Sequence, residues 1–332
     1  MKFLYFTDSH IRGNAPANRK DNFLDTLRAK FAEVARLAQE HDVRAILHGG
    51  DFFDIPNPSL TVVGDFIAVL QGAGKPIYAI AGNHDLFGHN PETLPRTVLG
   101  FVARLGLINL LTPGEAVFLH DDRCTVQISG QHYHYDMDRR DPQLDYVIEK
   151  SSQAHVAIHL VHGMLMDKAF IAGVPHTTID QIRHTQADLT ICGHNHLGFP
   201  DYQLDNKWFV NPGALIRLSN HPHEMTRRPQ VLLVECSSKG VMLKRIILQS
   251  GAPGTEVLDR SAAELAAYQE ERLSSFVQSI RSAGDYKGID ITAVIETIAT
   301  REGLQSEVKM EALRRIGVVQ EKLSEQGGMS NG

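Results

Sequence analysis

The sequence predicts an α/β protein, with two stacked mixed β-sheets flanked by helices and a C-terminal helical extension. Three features of the 332-residue chain carry that reading. From Lys2 to Leu105, apolar strand-like runs alternate with segments of helical period, the pattern of a largely parallel sheet covered by helices. From Ala116 to Ile247 the runs crowd together and pair across short turns, so this half is β-rich. After Gly251-Ala252-Pro253-Gly254 the composition shifts to helix formers.

Each element has its own justification. Phe3, Leu4, Tyr5 and Phe6 make Lys2 to Thr7 a buried strand. Leu24, Leu27, Phe31, Val34 and Ala38 recur at helical spacing and predict a helix from Asp21 to Glu40. Val43 to Leu47 is the next strand. A second helix, Ser59 to Gln71, is built on Val62, Val63, Phe66, Ile67 and Leu70, and strand Lys75 to Ala81 and helix Thr93 to Leu105 follow. Ala116–His120 and Cys124–Ser129 flank Asp121-Asp122-Arg123 as a hairpin. Tyr202–Leu204 with Trp208–Val210, and Gln230–Cys236 with Val241–Ile247, are two more. Ala154 to Val161 and Leu189 to Cys192 are apolar strands between them. Ser261-Ala262-Ala263-Glu264 is a capping box opening a long helix with Leu265, Tyr268, Phe276, Val277 and Ile280 on its apolar face. Two further helices are expected over Asp290 to Arg301 and Ser306 to Glu325, then a disordered tail, GGMSNG. The expected division is a catalytic domain over 1–250 and a helical extension over 255–326.

Composition excludes several classes. Cys124, Cys192 and Cys236 stand apart with no CxxC pair, which argues against a disulfide framework or structural zinc and for a reducing cytoplasm. No apolar run approaches a membrane span, and MKFLYFTDSH turns polar too early for a signal peptide. The net charge of −6 argues against a wholly basic, nucleic-acid-coating protein. Histidine is over-represented, at 17 copies; His41, His120 and His184 read as surface residues.

The remaining histidines fall where chemistry needs them. Five short signals stand at strand ends: Asp8-Ser9-His10, Gly49-Gly50-Asp51, Gly82-Asn83-His84-Asp85, His162-Gly163 and Gly193-His194-Asn195-His196. Carboxyl ends of strands in such a sheet converge on one crevice. Asp8 and His10 lie two apart, as do His194 and His196, so on extended backbone each pair points one way. A lone D-x-H is common and G-D at a strand end is usually only a turn, while G-N-H-D and G-H-N-H are more specific; all five in this order, each after a strand, point to a metal centre. Mixed oxygen and nitrogen donors suit manganese, iron or zinc better than calcium or magnesium alone. Seven donors around two ions need one shared group, and a carboxylate, Asp51, is the natural bridge.

The set D-x-H, G-D, G-N-H-D, H and G-H-x-H resembles the calcineurin-like metallophosphoesterase superfamily over roughly residues 1–250. Within it, Gly50-Asp51-Phe52-Phe53-Asp54 and the helical extension resemble the SbcD-type DNA repair nucleases. The resemblance implies that one metal takes Asp8, His10, Asp51 and His196, and the other Asp51, Asn83, His162 and His194. His84 then faces substrate as the catalytic non-ligand, while Asp85 orients His84 or caps the following turn. It implies hydrolysis of DNA phosphodiester bonds, exo- or endonucleolytic, by a hydroxide bridging two divalent ions, manganese first, with iron, zinc or magnesium as alternatives. An SbcC-type ATPase partner and a homodimer through the helices at Ser59–Gln71 and Thr93–Leu105 are implied as well. The competing expectation, which the acidic net charge favours, is a phosphodiesterase or phosphatase for a small phosphorylated metabolite.

Weaker signals complete the reading. Arg12, Arg19 and Arg217 are candidate substrate phosphate contacts, Arg217 heading a basic stretch with His221, His223, Arg227 and Arg228. Gln131 to Asp136 (QHYHYD) is read as an exposed loop, the alternative being a cleft wall whose aromatics stack on bases.

Overall fold

Alternating side chains on the first strand organise the protein into layers. The computed structural model describes residues 1–283, 295–296, 299–300 and 304–327. β1 (Lys2–Phe6) turns Phe3 and Tyr5 to one face and Leu4 and Phe6 to the other, all fully buried. β1 pairs in parallel with β2 (Ala45–His48), which pairs with β3 (Ile77–Ala79), which pairs with β4 (Asn109–Leu110). A second sheet contains β5 (Ala116–His120), β6 (Thr125–Gln131) and β7 (Val156–Val161). A short pair, β8 (Leu165–Met166) and β9 (Thr177–Thr178), precedes β10 (Leu189–Cys192), β11 (Phe199–Leu204) and β12 (Lys207–Asn211). The chain then returns to the first sheet with β13 (Gln230–Ser237), antiparallel to β1, and β14 (Gly240–Ile247). Six strands in the order β14-β13-β1-β2-β3-β4 thus stack on six in the order β11-β12-β10-β7-β6-β5, and both sheets are mixed.

Phe3, Tyr5, Ala45 and Leu47 meet Val126, Ile128, Ile158, Leu160 and Ile191 between the sheets. Leu4 and Phe6 instead pack outward on α1 (Phe23–Glu40) and α2 (Leu60–Gln71) through Leu27, Phe31, Val34, Phe66 and Ile67. At about 1.5–3 kcal/mol for each large apolar side chain buried, these two layers dominate the stability of this unit.

One helix differs from expectation. Thr93 to Leu105 is a 3-10 turn over Pro91–Arg96 followed by α3 (Val98–Arg104). Pro95 has no N–H to continue a helix through, and the Thr97 hydroxyl accepts from Gly100 N at 3.2 Å, capping a fresh start. Three short helices, α4 (Gln143–Tyr146), α5 (Pro222–Thr226) and α6 (Gly254–Val257), lie in the connections. The chain divides into two units, Met1–Arg260 and Ser261–Gly332. In the second, α7 (Ser261–Ala283) opens at the serine of the capping box, and α8 spans Ser306–Gly327. The helix expected at Asp290 to Arg301 lies largely outside the described residues, as does the tail beyond Gly327. Among the described residues no helix is long and apolar enough to cross a membrane, and all three cysteines are buried and free.

Candidate metal centre

Parallel pairing of β1, β2 and β3 in one sheet and of β7 and β10 in the other brings their following loops to one end of the sandwich. Three donor groups result. One ligand atom each from Asp8, His10, Asp51 and His196 lie within 4.8 Å of one another, as do those of Asp51, His162 and His194, and those of His10, Asp54 and His84. Asn83 Oδ1 is 3.2 Å from His162 Nε2. Asp51 belongs to two groups at once, its Oδ2 lying 3.5 Å from His10 Nε2 and 3.4 Å from His162 Nε2.

The backbone reaches this geometry by an uncommon route. Asp8, His10, Asp51 and His194 all have positive φ, at 51°, 39°, 52° and 71°. Such values are sparse for residues with a Cβ and concentrate at functional sites. They persist here because the loops are tied to each other: Asp8 N donates to Gly50 O at 3.1 Å and His10 N to Asp51 O at 3.0 Å. A Cβ on Gly82 would sit 2.1 Å from Asp51 Oδ1, and one on Gly50 2.4 Å from His162 Nδ1, so both positions require glycine for close approach.

Groups behind the donors fix their orientation. The Asp54 carboxylate lies 3.3 Å from His10 Nδ1 and 3.0 Å from Arg12 Nη1, holding the imidazole so that Nε2 faces the centre. Gly49 O can only accept, so His162 Nδ1 carries the proton of their 2.8 Å bond and Nε2 faces Asp51. Gly50 N donates to His48 Nδ1 at 3.2 Å. His48 Nε2–H therefore donates to Ser9 Oγ at 2.9 Å, and Ser9 donates on to Phe52 O at 3.0 Å. This chain joins the Asp8 and Asp51 loops through an imidazole that burial keeps neutral, its pKa pushed down to about 3. Asp54 and His48 went unassigned in the sequence because neither belongs to a strand-end signal, although Asp54 stands three residues after Asp51.

Electrostatics show what the donors fit. Asp8 and Asp51 are 0 % and 1 % exposed. Burial alone would raise both carboxyls, but neighbouring imidazoles, His196 and His162 for Asp8 and His162 and His10 for Asp51, hold them well below the usual carboxylate range. Burial would lower His162, yet the Asp51 charge outweighs it and raises the imidazole to about 9. Two buried carboxylates thus demand positive charge beside them. With the nitrogens of His10 and His196 only 3.1 Å apart and facing each other, the mixed O and N donor set fits divalent cations.

Several expectations need correction. Arg217 is 1 % exposed, its guanidinium donating to Ala252 O at 2.8 Å and to Arg227 O, so it is a buried tie between loops and unavailable to substrate. Arg19 is likewise spent, on Asp21 at 2.6 Å. Arg12 remains partly exposed beside Asp54. Asp85 does not orient His84: its carboxylate accepts from Phe52 N, Phe53 N and Gly82 N at 3.1, 2.9 and 2.9 Å, clamping the Asp51 loop to the Asn83 loop. The segment after β6 is not an exposed loop either. His132 accepts from Ala81 N, His134 meets Asp145 at 2.9 Å, and the Tyr133 ring lies 5.5 Å from that of His194.

A family model for the calcineurin-like phosphoesterase superfamily domain matches residues 1–239. The chain belongs to that superfamily. As a calcineurin-like phosphoesterase it is a metal-dependent enzyme acting on phosphate esters. A DNA double-strand break repair protein Mre11 from Haloferax volcanii is 27% identical, covering 91% of this chain and 65% of that protein. One from Halobacterium salinarum is 27% identical, covering 66% of this chain and 52% of that protein. The chain therefore spans less than two thirds of the length of these relatives. A dimetal phosphatase structure from Danio rerio has a TM-score of 0.46 at 11% identity, covering 74% of this chain and 98% of that one.

Proposed function

We propose that this calcineurin-like phosphoesterase is a nuclease of the SbcD and Mre11 kind, hydrolysing DNA phosphodiester bonds. The observation that carries the proposal is the reach of the similarity. The superfamily model ends at residue 239, whereas likeness to a double-strand break repair protein covers 91% of the chain and so continues into its helical part. A generic phosphoesterase domain would not share that second region.

In this reading one divalent ion is held by Asp8, His10, Asp51 and His196, and a second by Asp51, Asn83, His162 and His194, manganese being the expected metal. When bound, such ions lower the pKa of water and neutralise charge on a phosphoryl group. The protein's own part is positional. Asp54 and Gly49 O hold the His10 and His162 rings, Asp85 and the His48 chain hold the loops, and exposed His84 faces the substrate side. The helical second unit would dock an SbcC-type ATPase. A homodimer over α2 and α3 belongs to the proposal, because Leu60, Phe101 and Leu105 there are each more than half exposed. Light scattering at micromolar protein is expected to give the dimer mass, and a monomer alone would remove that part.

The activity is tested with manganese-loaded protein on single-stranded DNA, on double-stranded DNA and on a small chromogenic phosphodiester. Cleavage of DNA is the expected result. Turnover of the small ester with none of either DNA would instead establish a metabolite phosphodiesterase.

A further inference from the structure

Tyr133 stands at the seam between the two sheets. Its backbone N donates to Ala81 O at 2.9 Å, just before the Gly82–Asp85 loop, although the residue itself follows β6 of the other sheet. Its half-buried ring is inclined 41° to His194 at 5.5 Å, and lies 6.2 Å from His162. His89 closes edge-on at 5.6 Å. His89 is exposed, as are its neighbour Phe87 and the nearby Tyr135.

Exposure and position distinguish this tyrosine from a packing one. The core tyrosines are fully buried, Tyr146 with its O–H donated to Asp138 at 2.6 Å and Tyr5 with its hydroxyl unpartnered among the described residues. Tyr133 is only half-buried, and it is the ring that lies against His194 and His162. A half-buried aromatic ring beside the donor set is what a planar group attached to a bound phosphate would meet. Stacking on such a face tolerates any base, since every base has a π surface.

We propose that the Tyr133 ring, with His89 beside it, is the platform on which a nucleobase stacks while its own phosphate lies at the metal donors. This rests on the phosphodiesterase reading above and names the substrate as a nucleoside phosphodiester. Tyr133 is then a binding residue that sets specificity, outside the metal-ligand set.

Manganese-loaded full-length protein and its Tyr133→Leu, Tyr133→Phe and His89→Ala variants would be assayed on three esters sharing one leaving group. These are thymidine 5′-(4-nitrophenyl phosphate), its 3′ isomer and methyl 4-nitrophenyl phosphate. Stacking is worth about 1–3 kcal/mol per base, which at 1.36 kcal/mol per tenfold is roughly 5- to 150-fold. Tyr133→Leu should lose that much kcat/KM on at least one thymidine ester, mainly through KM, and about twofold or less on the methyl ester. Tyr133→Phe should retain the preference, and His89→Ala should lose a smaller part of it; His89→Ala decides the matter if Tyr133→Leu does not fold. Metal content, by elemental analysis, should be unchanged throughout. Equal losses on all three esters, falling with metal content, would make Tyr133 a spacer for His162 and His194 and overturn the platform. So would a wild-type enzyme that cleaves the methyl ester as readily as both thymidine esters, though the phosphodiesterase reading would then survive. Cleavage of no ester by the wild type would sink both.

Discussion

Asp51→Ala is expected to empty the centre of metal and to reduce turnover by about 10³-fold or more. A bound cation stabilises transition-state charge by several kcal/mol, and each 1.36 kcal/mol is a factor of ten. Asp51 is the one carboxylate placed in two donor groups, with Oδ2 within 3.5 Å of both His10 and His162. Its Oδ1 also accepts from His84 N at 2.8 Å, so one side chain holds both halves of the site and the loop bearing His84. Without it, Asp8 is the only carboxylate left in the first group, and the second has none. Removing one partner of a buried ion pair costs about 3–5 kcal/mol where the other stays charged; His162 owes its raised pKa to Asp51 and turns neutral without it, so the fold should survive at a smaller cost. Asp51→Asn keeps the shape and the acceptor for His84 N, so it isolates the charge; it should bind metal weakly as well. Elemental analysis beside turnover, with folding followed by circular dichroism, reads both variants. Full metal content in a folded Asp51→Ala protein would show that Asp51 is not the shared ligand.

The strand-end signals were legible because chemistry and periodicity coincide there. An apolar run that stops at Asp8, Asp51 or His162 leaves little for those side chains to do in a core. What stayed hidden is set by contacts distant in sequence. The left-handed backbone at Asp8, His10 and Asp51 depends on hydrogen bonds between the loops after β1 and β2, more than forty residues apart, and no local propensity announces it. Arg217 reads as part of a basic surface because charge in sequence carries no burial; backbone carbonyls brought in from 252 and 227 accept from its two terminal nitrogens. The segment around Tyr133 alternates inward and outward by single residues, so its polar composition read as a loop while His132 and His134 are buried and Tyr133 reaches the centre. Pro95 breaks the expected Thr93 to Leu105 helix because it has no N–H to continue it, although the apolar period runs on past it.

His84→Ala is expected to keep its metal and still lose turnover on DNA by about 10²–10⁴-fold, the usual worth of general acid–base catalysis. The geometry separates side chain from backbone. The His84 N–H to Asp51 bond survives the substitution, so the Asp51 carboxylate keeps its orientation. The ring is exposed, edge-on to His10 at 4.7 Å, and its Nδ1–H donates to Asp54 O at 2.8 Å, which leaves Nε2 as the nitrogen free to meet substrate. Asp85 is no rival, since three amides occupy its carboxylate. If His84 protonates the leaving oxygen, its loss must matter in proportion to how basic that oxygen is. A DNA alkoxide needs the proton; 4-nitrophenolate leaves almost unaided. The deficit of His84→Ala should therefore shrink by at least about tenfold between DNA and a 4-nitrophenyl diester, following the Brønsted behaviour of such steps. An equal deficit on both would assign His84 to stabilising phosphoryl charge instead, and metal loss as complete as in Asp51→Ala would place it among the ligands.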